Sequence, residues 1–120
     1  MDIEEAVSVF SALSQRTRLE VLRLLLQAGP EGMGAGEIAG ALGVRQNTMS
    51  TNLNILQRSA LIRSERFGRS IRYYADMAGL RGLLSFLMED CCGGERELCA
   101  PLLDVLVCDC LEKADDQSSL

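Results

Sequence analysis

The apolar residues first recur at helical spacing, then alternate, then return to helical spacing. Val7, Phe10 and Leu13 stand three apart, which predicts a helix over 4–13. Ser14 offers an N-cap for a second helix. Leu19, Leu22, Leu25 and Leu26 give that helix one apolar face, and Gly29-Pro30 stops it. GPEGMGAG (29–36) reads as a loop. A short helix over 36–42 follows, with Ile38 and Leu42 inward and Gly43 as its stop. The next helix, over 46–58, has a buried stripe of Met49, Leu53 and Leu56. Its other face is polar: Gln46, Asn47, Ser50, Thr51 and Asn54. From LIRSER onward the period is two. Ile62 and Ser64 share a face, and after Phe67-Gly68 the residues Ile71, Tyr73 and Ala75 alternate with Arg72 and Tyr74. This predicts a β-hairpin with its turn at 66–69. A last clear helix over 78–90 carries Leu80, Leu83, Leu84, Leu87 and Met88. The segment 101–113 is apolar and fits a further helix with Pro101 in its first turn. The final ADDQSSL reads as disordered.

A short helix, a glycine turn and a helix with a polar, uncharged outer face form the pattern of a helix-turn-helix. A hairpin directly after it is a wing, and its tip, Arg66-Phe67-Gly68-Arg69, can set arginines against a nucleic-acid backbone or minor groove. The predicted fold is mainly α with a small β-hairpin, a winged helix-turn-helix over 1–92. Residues 93–120 form a cysteine-containing extension.

Charge sharpens this picture. The net charge of −5 argues against nucleic acid, but its distribution does not. Residues 45–74 hold Arg45, Arg58, Arg63, Arg66, Arg69 and Arg72 against a single acid, Glu65, so this stretch is +5 and the remainder −10. Phosphate contact is local, so a basic segment can bind DNA on an acidic protein. The glycine-rich loop is no phosphate cradle: Gly34 is followed by Ala35-Gly36 rather than Lys-Ser/Thr, and Glu37 occupies the place of a dinucleotide fingerprint's third glycine. With no histidine, no Ser-His-Asp set is available, and an enzyme is not expected.

The length of 120 residues fits one domain, and 48% apolar residues suffice for a core. No apolar run reaches membrane-spanning length, and MDIEEAV is acidic where a secretory signal would be basic. The expected location is the cytoplasm, with no membrane partner. Five cysteines in a reducing compartment read as thiols, metal ligands or redox groups rather than disulfides.

The order of elements and three segments, ALSQRTRLEVLRLLL (12–26), EIAGALGVRQNTMSTNLNILQRSALI (37–62) and RFGRSIRYYA (66–75), resemble the ArsR-type family of metal-responsive repressors. The resemblance covers residues 6–90. It implies an α-helical homodimer with winged helix-turn-helix heads and a double-stranded operator with inverted repeats. It also implies release from DNA when an inducer binds, and a dimer interface built from the helices over 4–13 and 78–90. By position it makes Gln46, Asn47, Thr48, Ser50 and Thr51 the contacts to bases and phosphates. Asn and Gln suit bidentate bonds to adenine. This chain has Thr51-Asn52 where many members have Arg-His, and Asn54 where lysine is common. That shifts phosphate contact to Arg63, Arg66, Arg69 and Arg72.

Many members sense metal through a cysteine pair in a segment like ELCVCDL. The corresponding residues here, Met33 to Ile38, contain no cysteine. All five cysteines come late: Cys91, Cys92, Cys99, Cys108 and Cys110. Cys91-Cys92 closes the last clear helix before Gly93-Gly94, whose freedom lets a vicinal pair turn toward one ion. Cys99 is close enough in sequence to fold back at modest entropic cost. Zinc sites usually want four ligands and draw on imidazole, which this chain lacks. Three sulfurs suit pyramidal As(III) or Sb(III), whose neutral hydroxide condenses with thiols and does not require thiolate. Glu89, Asp90, Glu95 and Glu97, opposed only by Arg96, disfavour thiolate here. The cluster also resembles that of arsenic-responsive members. The alternatives are a cadmium, lead or zinc site and a thiol-oxidation switch. Cys108 and Cys110 are additional ligands, gatherers of metal, or inert helix surface. No organic cofactor is expected.

Overall fold

Asp2 opens the first helix by accepting a hydrogen bond from the Glu5 N–H at 2.8 Å. The computed structural model describes residues 1–89. Within them the order is α1 (Ile3–Leu13), α2 (Arg16–Ala28), a 3-10 turn (Gly29–Glu31), β1 (Met33–Gly34), α3 (Ala35–Leu42), α4 (Gln46–Arg58), β2 (Ile62–Phe67), β3 (Ser70–Ala75) and α5 (Met77–Leu87). The result is a mainly helical domain with a small antiparallel sheet, a winged helix-turn-helix. The expected helix over 46–58 has the bounds of α4.

Several local expectations are corrected. Ser14 ends α1 rather than starting α2: its N–H and hydroxyl both donate to the Ser11 carbonyl. Gln15 caps α2 instead, accepting from the Arg18 N–H at 2.9 Å, because its longer side chain reaches back over the first turn. The segment 29–36 is not all loop. It contains the 3-10 turn and β1, and β1 pairs with β3 through Met33↔Tyr73 and Gly34↔Arg72. Two residues are too few to show alternation, so periodicity had no hold on them. The sheet order is β1-β3-β2. Gly32 precedes β1 at φ +63, and a Cβ there would lie 2.5 Å from the Tyr73 carbonyl oxygen, so only glycine fits this close approach.

The hairpin turn falls one residue later than expected. Phe67 pairs with Ser70, and the loop is Gly68-Arg69 with Gly68 at φ +64. Glycine at the first central position is what a type II′ hairpin requires. The helix expected over 78–90 starts at Met77 and ends at Leu87, with Met88 and Glu89 in a turn. The apolar segment 101–113, the final ADDQSSL and the extension 93–120 lie outside the described residues.

Leu25, Ile38, Met49, Leu53, Leu56, Leu61, Ile62 and Val21 form the fully enclosed centre of the core. Each such side chain contributes roughly 1.5–3 kcal/mol of hydrophobic stabilisation. In α2 the buried stripe is Val21, Leu22 and Leu25, while Leu19 and Leu26 flank it and are exposed. In β3, Tyr73 and Ala75 share a face and pack against the core, in line with the alternation. Tyr74 on the other face is also buried, against Gly32, whereas Ile71 is exposed near the hairpin tip. Asp76 caps α5 through the Gly79 N–H at 3.0 Å. Gly79 is seated on the Ala60 carbonyl, where any Cβ would overlap the oxygen. The end of α4 and the start of α5 are thereby packed backbone to backbone.

Candidate nucleic-acid interface

The helix α4 is positioned by its inner stripe. Met49, Leu53 and Leu56 are all buried, and the i, i+4, i+7 spacing fixes which side turns outward. Gln46, Asn47, Thr48, Ser50, Thr51 and Asn54 are all exposed, so the polar residues expected at the front of the helix share an accessible surface. Two of them also brace the first turn. The Asn47 Oδ1 accepts from the Thr48 N–H at 2.9 Å, and the Thr51 hydroxyl donates to the Asn47 carbonyl at 3.2 Å. The Asn47 amide NH2 and the hydroxyls of Thr48 and Ser50 form no hydrogen bond within the described residues and remain available to an outside partner.

Asn52 behaves differently. It is the one buried polar residue among those described, and its Oδ1 accepts from Arg18 Nη1 at 3.1 Å. The same guanidinium donates through Nε to the Ala12 carbonyl at 2.6 Å. One arginine of α2 therefore ties the end of α1 to the middle of α4. In the sequence Asn52 stands out only as a departure from a family pattern. The signal that locates it is its register, three residues after Met49 and on the buried stripe.

The four wing arginines divide into two pairs. At the root, Arg63 pairs with Glu65 at 2.7 Å and lies over the Tyr74 ring, 4.4 Å from its centroid. Arg72 donates to the Glu31 carbonyl at 3.0 Å, the Gly32 carbonyl at 2.9 Å and Glu37 Oε1 at 3.3 Å. Glu37 also accepts from the Gly34 N–H at 3.2 Å. Arg72 thus holds β3 to the turn before β1, which differs from the phosphate contact expected of it. At the tip, Arg66 and Arg69 are exposed and make no ion pair among the described residues. Gln57 Nε2 donates to Ser64 Oγ at 2.8 Å and joins α4 to β2, so the hairpin is fixed to the helix it follows.

Cys91, Cys92, Cys99, Cys108 and Cys110 lie outside the described residues. Among the described residues no three His, Cys, Asp or Glu side chains gather as a metal site. The segment Met33 to Ile38 forms β1 and the first turn of α3, without a cysteine.

Residues 13–65, from the end of α1 into β2, match the helix-turn-helix domain family. YbzH, an uncharacterized HTH-type transcriptional regulator of Bacillus subtilis, is 32% identical over an alignment 95 residues long that covers 69% of this chain and 95% of YbzH. An ArsR-like transcriptional regulator from Rhodococcus sp. RHA1 superposes with a TM-score of 0.66 at 34% identity, covering 86% of this chain and 92% of its own. The chain belongs to the ArsR family of helix-turn-helix transcriptional regulators. Mb0332 of Mycobacterium bovis, a homodimeric winged helix-turn-helix DNA-binding domain described as a possible ArsR-family regulator, is similar at 30% identity and a TM-score of 0.58, covering 73% of this chain and 82% of its own. In this ArsR-family regulator, α3 and α4 are the helix-turn-helix, and β2 with β3 is the wing. Its function is regulation of transcription rather than catalysis. No described helix is long and apolar enough to cross a membrane.

Proposed function

We propose that this ArsR-family regulator is a homodimeric repressor on double-stranded operator DNA with inverted repeats, released when As(III) or Sb(III) is bound by Cys91, Cys92 and Cys99. The observation that carries the DNA reading is the exposed, uncharged front of α4 beside a wing whose tip arginines are uncommitted. Gln46, Asn47, Thr48, Ser50 and Thr51 read base edges and position the helix, while Arg66 and Arg69 contact phosphate.

The dimer reading rests on apolar side chains left outside. Ile3, Val7 and Phe10 on α1 are 64%, 56% and 43% exposed, and Leu84 and Leu87 on α5 are exposed as well. A second copy would cover them and set the separation of the two recognition helices at about one turn of DNA, roughly 34–36 Å.

The inducer reading rests on the sequence: three thiols beyond the end of α5 in a chain without histidine. As(OH)3 would condense with three thiols, forming three As–S bonds and releasing three waters, with no redox change. Preference of that adduct for a state unable to bind DNA would lower operator affinity. A coupling of about 3 kcal/mol corresponds to more than a hundredfold.

The test is fluorescence anisotropy of the reduced protein on its own promoter DNA, titrated separately with arsenite, zinc and cadmium. Arsenite is expected to release the DNA, and Cys91→Ser to bind DNA normally but stay bound. Tight binding that arsenite does not move rejects the inducer. Loss of DNA binding in Cys91→Ser rejects the separation of the two sites.

A further inference from the structure

A cavity of about 290 Å³ lies where the end of α2, the 3-10 turn, the root of the wing and the first residue of α5 meet. Leu25, Leu26, Pro30 and Met77 are its larger apolar lining residues, and Arg63 and Tyr74 line it as well. Tyr74 is only 7% exposed, yet its hydroxyl makes no hydrogen bond to any described residue. No fully enclosed side-chain polar atom among the described residues lacks a partner, so that hydroxyl keeps an open side. Arg63 uses Nη1 for Glu65, which leaves the rest of its guanidinium fork.

We propose that this cavity is a binding site for a small organic monocarboxylate with an apolar body, independent of the cysteines. The volume is at the low end for small-molecule sites, near 300 Å³, and suits one aromatic ring or a short acyl chain. The walls take the apolar body. A single guanidinium provides one positive charge in a planar fork that matches a carboxylate, and no second cation lines the cavity to balance a phosphate dianion. The Tyr74 hydroxyl adds a further donor. Glu65 does not block the site, because both partners of its ion pair are about half exposed, at 48% and 51%, and such pairs are readily shared or exchanged. The occupant would touch α2, both strands of the wing and α5 together, so its presence is felt at the wing.

The test uses the full-length reduced protein labelled with [methyl-13C]methionine, titrated with phenylacetate and with its neutral isostere phenylacetamide. The Met77 methyl signal is expected to shift saturably with phenylacetate, and the amide to bind at least about tenfold more weakly. Arg63→Met should weaken phenylacetate by about tenfold and Tyr74→Phe by about threefold, with the buried Met49 methyl reporting that each variant is folded. Equal binding of acid and amide to the wild type overturns the proposal without any variant. So does a Met77 signal unmoved by phenylacetate up to about 10 mM, or unchanged affinity in a folded Arg63→Met.

Discussion

The helices α1 and α4 are both amphipathic, but they treat their large apolar side chains in opposite ways. α4 encloses Met49, Leu53 and Leu56 completely and presents only polar residues outside. α1 buries its small residues, Ala6, Val9 and Ala12, and leaves Ile3, Val7 and Phe10 in solvent. One helix is fully packed by its own chain. The other satisfies its neighbours with alanines and keeps its larger apolar surface unpartnered. The recognition helix is thus fixed within the domain, whereas α1 keeps an exposed apolar face, the face that the proposed dimer would cover.

The largest effect should come from the closed helix. Leu53→Ala removes a side chain 1% exposed and is expected to destabilise the fold by about 2–5 kcal/mol, read as a drop in denaturation midpoint. A change below about 1 kcal/mol would show that α4 is not anchored as described.

Phe10→Glu should act in the other sense. Its site is 43% exposed, so the domain stays folded, but sedimentation should find monomers and operator affinity should fall by about a hundredfold as the two heads act singly. An unchanged dimer would mean that the exposed face of α1 is not what joins the copies.

Two of the junctions that hold α4 against its neighbours are worth somewhat less each. Gly79→Ala forces a methyl into the Ala60 carbonyl and should cost about 1–3 kcal/mol, visible as a lower Tm. Arg18→Met leaves Asn52 without its donor and should cost about 1–3 kcal/mol. If both variants melt like the wild type, neither junction helps to hold α4.

The smallest effects belong to the wing tip. Arg66→Ala and Arg69→Ala should each weaken DNA binding less than about tenfold, uniformly across sequences, and reduce the log–log salt slope by about 1. A variant that changes sequence preference but not the slope would assign that arginine to base contact instead.

Long periodic segments were legible because the buried stripe and the helix period coincide. α4 was bounded correctly from Met49, Leu53 and Leu56. The hairpin was visible from alternation, and its Gly68 turn was misplaced by one residue because register is fixed by backbone pairing, which composition does not encode. β1 was invisible, since two residues have no period. The front of α4 was readable as a polar face, but the inward turn of Asn52 and the commitment of Arg72 to carbonyls of the 3-10 turn and its cap depend on contacts across 34 and 40 positions. The sequence shows how many arginines the wing has. Only the fold shows which of them are already occupied.

The most direct test of the account is a titration of the reduced protein onto a labelled duplex of its own promoter, followed by anisotropy at several salt concentrations. A dimer on an inverted repeat saturates at two chains per duplex, with affinity falling steadily as salt rises. Saturation at one chain per duplex, or binding indifferent to salt, would contradict it.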